Sequence, residues 1–160
     1  MKPASARESR RSGALPPPER KKRIMVQRQE LTDFLDRLLE QSVRVDDASN
    51  NGLQVEGSRT VSRVLCAVDA SLELFQRAAD TEADFLFVHH GISWKNGIRY
   101  FTGPQAARLG LLFRHSISPS AAHLPMDAHP EHGPNAIIAD RIGLQTVTPF
   151  FEIGGLEIGC

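Results

Sequence analysis

Cysteine is scarce in this 160-residue chain, tryptophan and tyrosine occur once each, and 19 basic residues are cancelled by 19 acidic ones. Each shortage excludes something. Two cysteines, Cys66 inside an apolar run and Cys160 at the last position, are too few for a disulfide framework and read as reduced thiols. A formal net charge of zero gives no overall pull toward polyanions, so no nucleic-acid partner is expected. No run of about eighteen apolar residues occurs, so no helix is expected to span a membrane. What is present is the balance of a globular domain: 41% hydrophobic and 24% charged residues, enough to build one core.

The charge is unevenly placed. Residues 1–23 hold eight Lys or Arg against Glu8 and Glu19, a surplus of six, so the remainder is six negative. This Ser-, Arg- and Pro-rich stretch has almost nothing to bury and cannot offset its ordering entropy. Residues 1–24 are therefore expected to be a disordered basic tail, or the result of a start codon placed before the natural one at Met25. Arg10-Arg11 is not a twin-arginine signal, because Pro16-Pro17-Pro18-Glu19-Arg20 follows where an apolar stretch is required. With no targeting segment, the expected location is the cytoplasm.

Beyond the tail the apolar periodicity alternates between helix and strand. Leu31, Phe34, Leu35, Leu38 and Leu39 form one stripe, predicting a helix over 29–42. Asn50-Asn51-Gly52 signals a turn. The apolar, partly β-branched run 61–68 predicts a buried strand. Ser71 is placed to cap a helix over 72–81 with Leu72, Phe75 and Ala79 inward. Phe85-Leu86-Phe87-Val88 predicts a strand covered on both faces. A helix over 103–115 turns Ala106, Leu109, Leu112 and Phe113 inward. A strand over 117–124, a loop over 125–133, a helix over 135–142 closed by Gly143 and an extended segment from Thr146 complete the pattern. Such alternation implies an α/β layer fold.

Two clusters carry chemistry. His89-His90-Gly91 ends the strand at 85–88, and His123-Leu124-Pro125-Met126-Asp127 follows the next. Open α/β sheets place ligands at the carboxyl ends of their strands, so His89, His90, His123 and Asp127 are expected at one sheet edge. Neutral imidazole is the commonest protein metal ligand, and imidazoles with a carboxylate suit zinc, iron or manganese. Paired histidines alone are more often hydrogen-bonded or exposed, and it is the second cluster that favours a metal. His123 also reads as a residue that orients a ligand. His129 and His132 are expected to be exposed, Asp46-Asp47 to lie in a solvated loop, and Trp94 to pack its loop against the site.

Several motifs then agree with one family. Asn51-Gly52-Leu53-Gln54-Val55-Glu56-Gly57, Val88-His89-His90-Gly91 with Ser93-Trp94-Lys95, His123-Leu124-Pro125-Met126-Asp127-Ala128-His129-Pro130, and Gly133-Pro134-Asn135-Ala136 resemble, in order and spacing, the first half of the GTP cyclohydrolase 1 type 2 homologue (NIF3-like) family. The resemblance implies a lobe over 25–160 with a mixed sheet flanked by helices, stopping before a second lobe. It implies two divalent ions held by His89, His90 and Asp127, with His123 at the site as the candidate catalytic proton carrier. It also implies a hexamer built as a trimer of dimers, and a metal-dependent hydrolase with a nucleotide as possible substrate. The family completes its site with a His and a Glu one helical turn apart near the C-terminus, beyond the segment matched here. The alternatives are a non-catalytic metal-binding protein that forms rings and an inactive fragment lacking those last ligands.

Overall fold

A computed structural model describes residues 24–39 and 46–159; the expected tail up to Arg23, and the helix end expected at 40–42, lie outside them. Strand β1 (Val26–Gln27) leads directly into α1 (Arg28–Leu38), where the Gln27 N–H donates to Glu30 Oε2 at 3.3 Å. There follow β2 (Gly52–Leu53), β3 (Thr60–Val61), β4 (Val64–Asp69), α2 (Leu72–Asp80), β5 (Phe85–His90), α3 (Gly103–Arg114) and β6 (Ser118–Ala121). A single turn α4 (Leu124–Asp127), then α5 (Pro134–Arg141) and the hairpin β7 (Phe151–Ile153) and β8 (Leu156–Ile158) complete the described chain.

The main sheet has the order β2-β6-β5-β4. Strands β4, β5 and β6 are parallel and β2 runs antiparallel to β6, the mixed α/β sheet flanked by helices that the sequence implied. Two successive right-handed crossovers in one direction place both helices on the same face. Accordingly Phe75 and Ala78 of α2 and Leu109 and Leu112 of α3 pack with Leu86, Val88 and Ile117. Helix α1 covers the other face, where Leu35 and Leu31 meet Phe85 and Phe87. Strand β5 lies between these layers, so Phe85 and Leu86 are both wholly buried, as its unbroken apolar sequence predicted.

The neighbouring run differs from its reading. Residues 61–68 are not one buried strand. Asp84 Oδ2 accepts from the N–H groups of Ser62 and Arg63 and from the Ser62 hydroxyl, at 2.6, 3.0 and 2.8 Å, and the chain breaks there into β3, which pairs with β1, and β4. Strand β4 is the sheet's edge. Leu65 and Ala67 face the helices, whereas Val64 and Val68 are 42% and 59% exposed, because the cover of α1 reaches β5 and no further. In α2, Ala78 is fully buried while Leu72 is exposed; in α3, Ala106 and Phe113 turn outward. The stretch 125–133, read as a loop, begins with α4, and the extended segment expected from Thr146 forms strand only from Phe151.

The adjacent residues Leu112 and Phe113 separate burial from hydrophobicity. Leu112 is wholly buried and Phe113 is 63% exposed. Leu112→Ala is expected to destabilise by about 2–5 kcal/mol, and Phe113→Ala by no more than about 0.5 kcal/mol. Urea unfolding followed by circular dichroism checks both; equal costs would show that α3 packs by a different face.

Candidate metal centre

Strand β5 ends in His89-His90, and His123 follows β6 by two residues. The parallel register sets Val88 level with Ala121, and His90 level with Asp69 at the end of β4. The three imidazoles therefore leave the same sheet edge. Their ring centroids are 4.6 Å apart for His89 and His90, 4.9 Å for His89 and His123, and 5.4 Å for His90 and His123. One ring nitrogen from each can be chosen so that all lie within 4.8 Å of one another.

The hydrogen bonds say which nitrogen each ring leaves free. His89 Nδ1 lies 3.0 Å from the carbonyl oxygen of Ala122. A carbonyl can only accept, so Nδ1 carries the proton and Nε2 keeps its lone pair. His90 Nδ1 donates to Asp69 Oδ1 and His123 Nδ1 to Asp47 Oδ1, both at 2.7 Å. Each ring thus has its tautomer fixed by an oxygen behind it, the arrangement that orients metal-binding histidines. Burial lowers the His89 pKa; the nearby Asp127 opposes the shift and the neighbouring imidazoles add to it, leaving it below the ordinary value. The ring is accordingly neutral near pH 7, the form a metal requires.

Asp127, at the end of α4, brings Oδ2 to 3.6 Å from His89 Nε2. That is too long for a hydrogen bond and suits two ligands of one ion with bonds near 2.0–2.2 Å. Its backbone is held on both sides: the Asp127 N–H donates to the His123 carbonyl at 3.1 Å, and Asn135 Nδ2 donates to the Asp127 carbonyl at 3.2 Å. A side chain at Gly133 would come within 2.6 Å of the Met126 carbonyl, so glycine there lets the chain close over α4. In donor type and disposition, three imidazoles and a carboxylate fit zinc, iron or manganese.

Sequence reasoning missed the residues behind the rings. Asp47 does not sit in a solvated loop. Its side chain is 3% exposed and accepts from the Ser49 N–H at 2.8 Å, Asn51 Nδ2 at 2.9 Å and the Leu124 N–H at 3.1 Å, besides His123. Burial opposes its ionisation, but these hydrogen bonds outweigh burial and hold its pKa below the usual carboxylate range. Asn51 Oδ1 also takes the His123 N–H at 2.8 Å. Gln54 ties the same loop to the end of β5, accepting from the Ile92 N–H and donating to the Asn50 carbonyl, each at 2.7 Å. Any side chain at Gly91 would meet the Gln54 amide at 2.3 Å; glycine is needed there for close approach as well as for the turn. Trp94 donates to the Gly91 carbonyl at 3.1 Å and sets its ring 5.6 and 5.3 Å from those of His90 and His123. His129 and His132 stack on each other at 4.7 Å, outside the three-imidazole group.

Known proteins resemble this chain in sequence and in fold. Residues 26–159 match the family described as Duf34/NIF3 (NGG1p interacting factor 3). A protein of Archaeoglobus fulgidus named GTP cyclohydrolase 1 type 2 homolog is 48% identical over 130 residues, covering 81% of this chain and 52% of its own length. A protein of the same name from Neisseria meningitidis is 39% identical, over 84% of this chain and 54% of its own. Among solved structures, TTHA1606 from Thermus thermophilus superposes with a TM-score of 0.76 at 43% identity, covering 82% of this chain and 53% of that one. Reduced HcgD from Methanocaldococcus jannaschii gives 0.73 at 26% identity, over 83% and 53%. The chain thus spans about half the length of the relatives it matches.

If Asp69 orients the site through His90, Asp69→Asn will weaken zinc binding about 10–100-fold, while Asp46→Asn, at an exposed position, leaves it unchanged. Competition against a chromophoric chelator measures both. Equal affinities in the two variants would remove Asp69 from any part in the site.

Proposed function

The chain belongs to the Duf34/NIF3 family, and from that premise we propose that it is a divalent-metal-binding protein and one part of a metal-dependent hydrolase. The observation that carries this reading is the convergence of three imidazoles, each with Nδ1 occupied by a protein oxygen, beside the carboxylate of Asp127. His89, His90 and Asp127 are the proposed ligands, for one or two ions of zinc, iron or manganese. An ion held there supplies Lewis acidity to an electrophilic carbon or phosphorus centre and makes water a usable nucleophile near neutral pH.

The chain's own residues do the rest. His90 and His123 are steered by Asp69 and Asp47. His123 is the proposed proton carrier at Nε2, because it adjoins the ligands and its Nδ1 is already committed to Asp47. Trp94 packs against two of the rings and limits water on that side. The name shared by the relatives suggests opening of the guanine ring of GTP; for this chain that substrate is part of the proposal.

Assembly belongs to the reading too. Tyr100, Phe101 and Phe113 are 72%, 66% and 63% exposed, and Phe101 and Phe113 line one groove with Ile98 and Leu109. An apolar groove of this kind favours burial against another copy, as a ring of six would provide. Among the described residues no helix is long and apolar enough to cross a membrane; a cytoplasmic location is part of the proposal.

A second reading, a metal-binding ring protein without turnover, is favoured by the exposed apolar groove at Phe101 and Phe113, which assembly requires and turnover does not. Metal analysis, light scattering and an assay of formate release from GTP separate the two. Bound metal with formate release supports the hydrolase; bound metal in a multimer without it supports the second reading. His89→Gln is expected to lose most bound metal. His123→Gln is expected to keep it and lose turnover; a metal loss matching that of His89→Gln would make His123 a ligand instead. Because the ligating nitrogens must be unprotonated, metal affinity should fall with acid, and through His89, whose pKa is lowered, only at a pH below the ordinary histidine range.

A further inference from the structure

His90 borders a cleft of about 600 Å³, together with Asp69, Ala70, Trp94, Gln105 and Arg108 and the start of α2. Arg108 is half-buried there. Its Nη2 donates to the Ala70 carbonyl, its Nη1 to Gln105 Oε1 at 3.3 Å, and its guanidinium carbon lies 5.7 Å above the Phe75 ring. Its Nε is buried without a partner. Among the described residues every contact of this cation is neutral, and no carboxylate lies within ion-pair distance. A half-buried charge is normally matched by an opposite one. Asp69, which borders the same cleft, has its Oδ1 tied to His90.

A second set of donors borders the cleft. Helix α2 has nine residues, and Ser71 Oγ takes only the Leu74 N–H, at 3.1 Å. The N–H groups of Leu72 and Glu73 find no acceptor among the described residues, and a helix start favours anions. A forked guanidinium, the amide of Gln105 and helix N–H groups approach from two elements. That set matches the several acceptor oxygens of a tetrahedral oxyanion better than the two of a carboxylate.

We infer that this cleft is a phosphoryl-binding subsite, with Arg108 as the positioning residue, so that a phosphorylated small molecule is held by its phosphate at Arg108 while its reacting part lies over the histidines. The assignment rests on the proposed metal site only for the location of that reacting part. Charge on Arg108 and space in the cleft carry the rest. A volume of about 600 Å³ is in the range of small-molecule sites.

Trp94 borders the cleft and is the single tryptophan of the sequence, so its fluorescence reports occupancy directly. The full chain, metal-free, is titrated with inorganic phosphate at constant ionic strength, with chloride as control. A saturable change is expected. Arg108→Gln should weaken the phosphate affinity about tenfold or more. Arg108→Lys keeps the charge but not the fork, and should weaken it a few-fold; it also serves if the Gln variant fails to fold. No saturable response up to tens of millimolar phosphate, or equal affinities in the folded variants, would overturn the assignment. Zinc binding, measured separately, should be the same in all three proteins. Zinc binding with a phosphate response indifferent to Arg108 removes the subsite alone. An Arg108-dependent phosphate response without zinc binding removes the metal reading and leaves the subsite.

Discussion

Three imidazole N–H groups each end on a protein oxygen: His89 on the Ala122 carbonyl, His90 on Asp69 and His123 on Asp47. Those three bonds set the direction of the Nε2 lone pairs, and the other features of the site support them. Without them a ring is free to rotate about χ2 or to carry its proton on the other nitrogen. With them, the imidazoles meet beside Asp127 in an arrangement formed by the protein alone, so little ordering entropy remains to be lost on binding.

The fold supplies the anchors behind the rings from unrelated parts of the chain. Asp69 ends β4, Ala122 follows β6, and Asp47 comes from the segment before β2. That segment is fastened by Asn51 to the His123 backbone and by Gln54 to Ile92. The antiparallel pairing of Gly52 with Ala121 holds this segment against β6, and Gly91 leaves room for the Gln54 amide. The Asn-Gly-Leu-Gln stretch is therefore a brace between two strand ends.

The cation at Arg108 extends the same logic to the cleft that His90 borders. Its neighbours satisfy part of its hydrogen-bonding capacity and none of its charge. The two regions share His90 and Trp94, and a ligand that bridges them would be oriented by groups on α2, α3 and β5 at once.

Much of this was legible in the sequence. The apolar run at 85–88 required a central strand, the alternation of strand and helix required an α/β sheet, and the positions of His89, His90, His123 and Asp127 after consecutive parallel strands required a shared edge, because parallel strands end on the same side. Local signals also fixed the Ser71 cap and the stop of α5 at Gly143. Tertiary structure alone decided the rest. The apolar run at 61–68 looks buried by composition, but its exposure depends on how far α1 extends across the sheet. Asp47 looks like a loop carboxylate because its partner His123 is 76 residues away, and no periodicity links positions that meet only when β2 docks on β6. Arg108 reads as one more polar position on a helix until the fold half-buries it without giving it an opposite charge. Sequence specifies which groups an element can present; burial and pairing between distant elements exist only once the elements have packed.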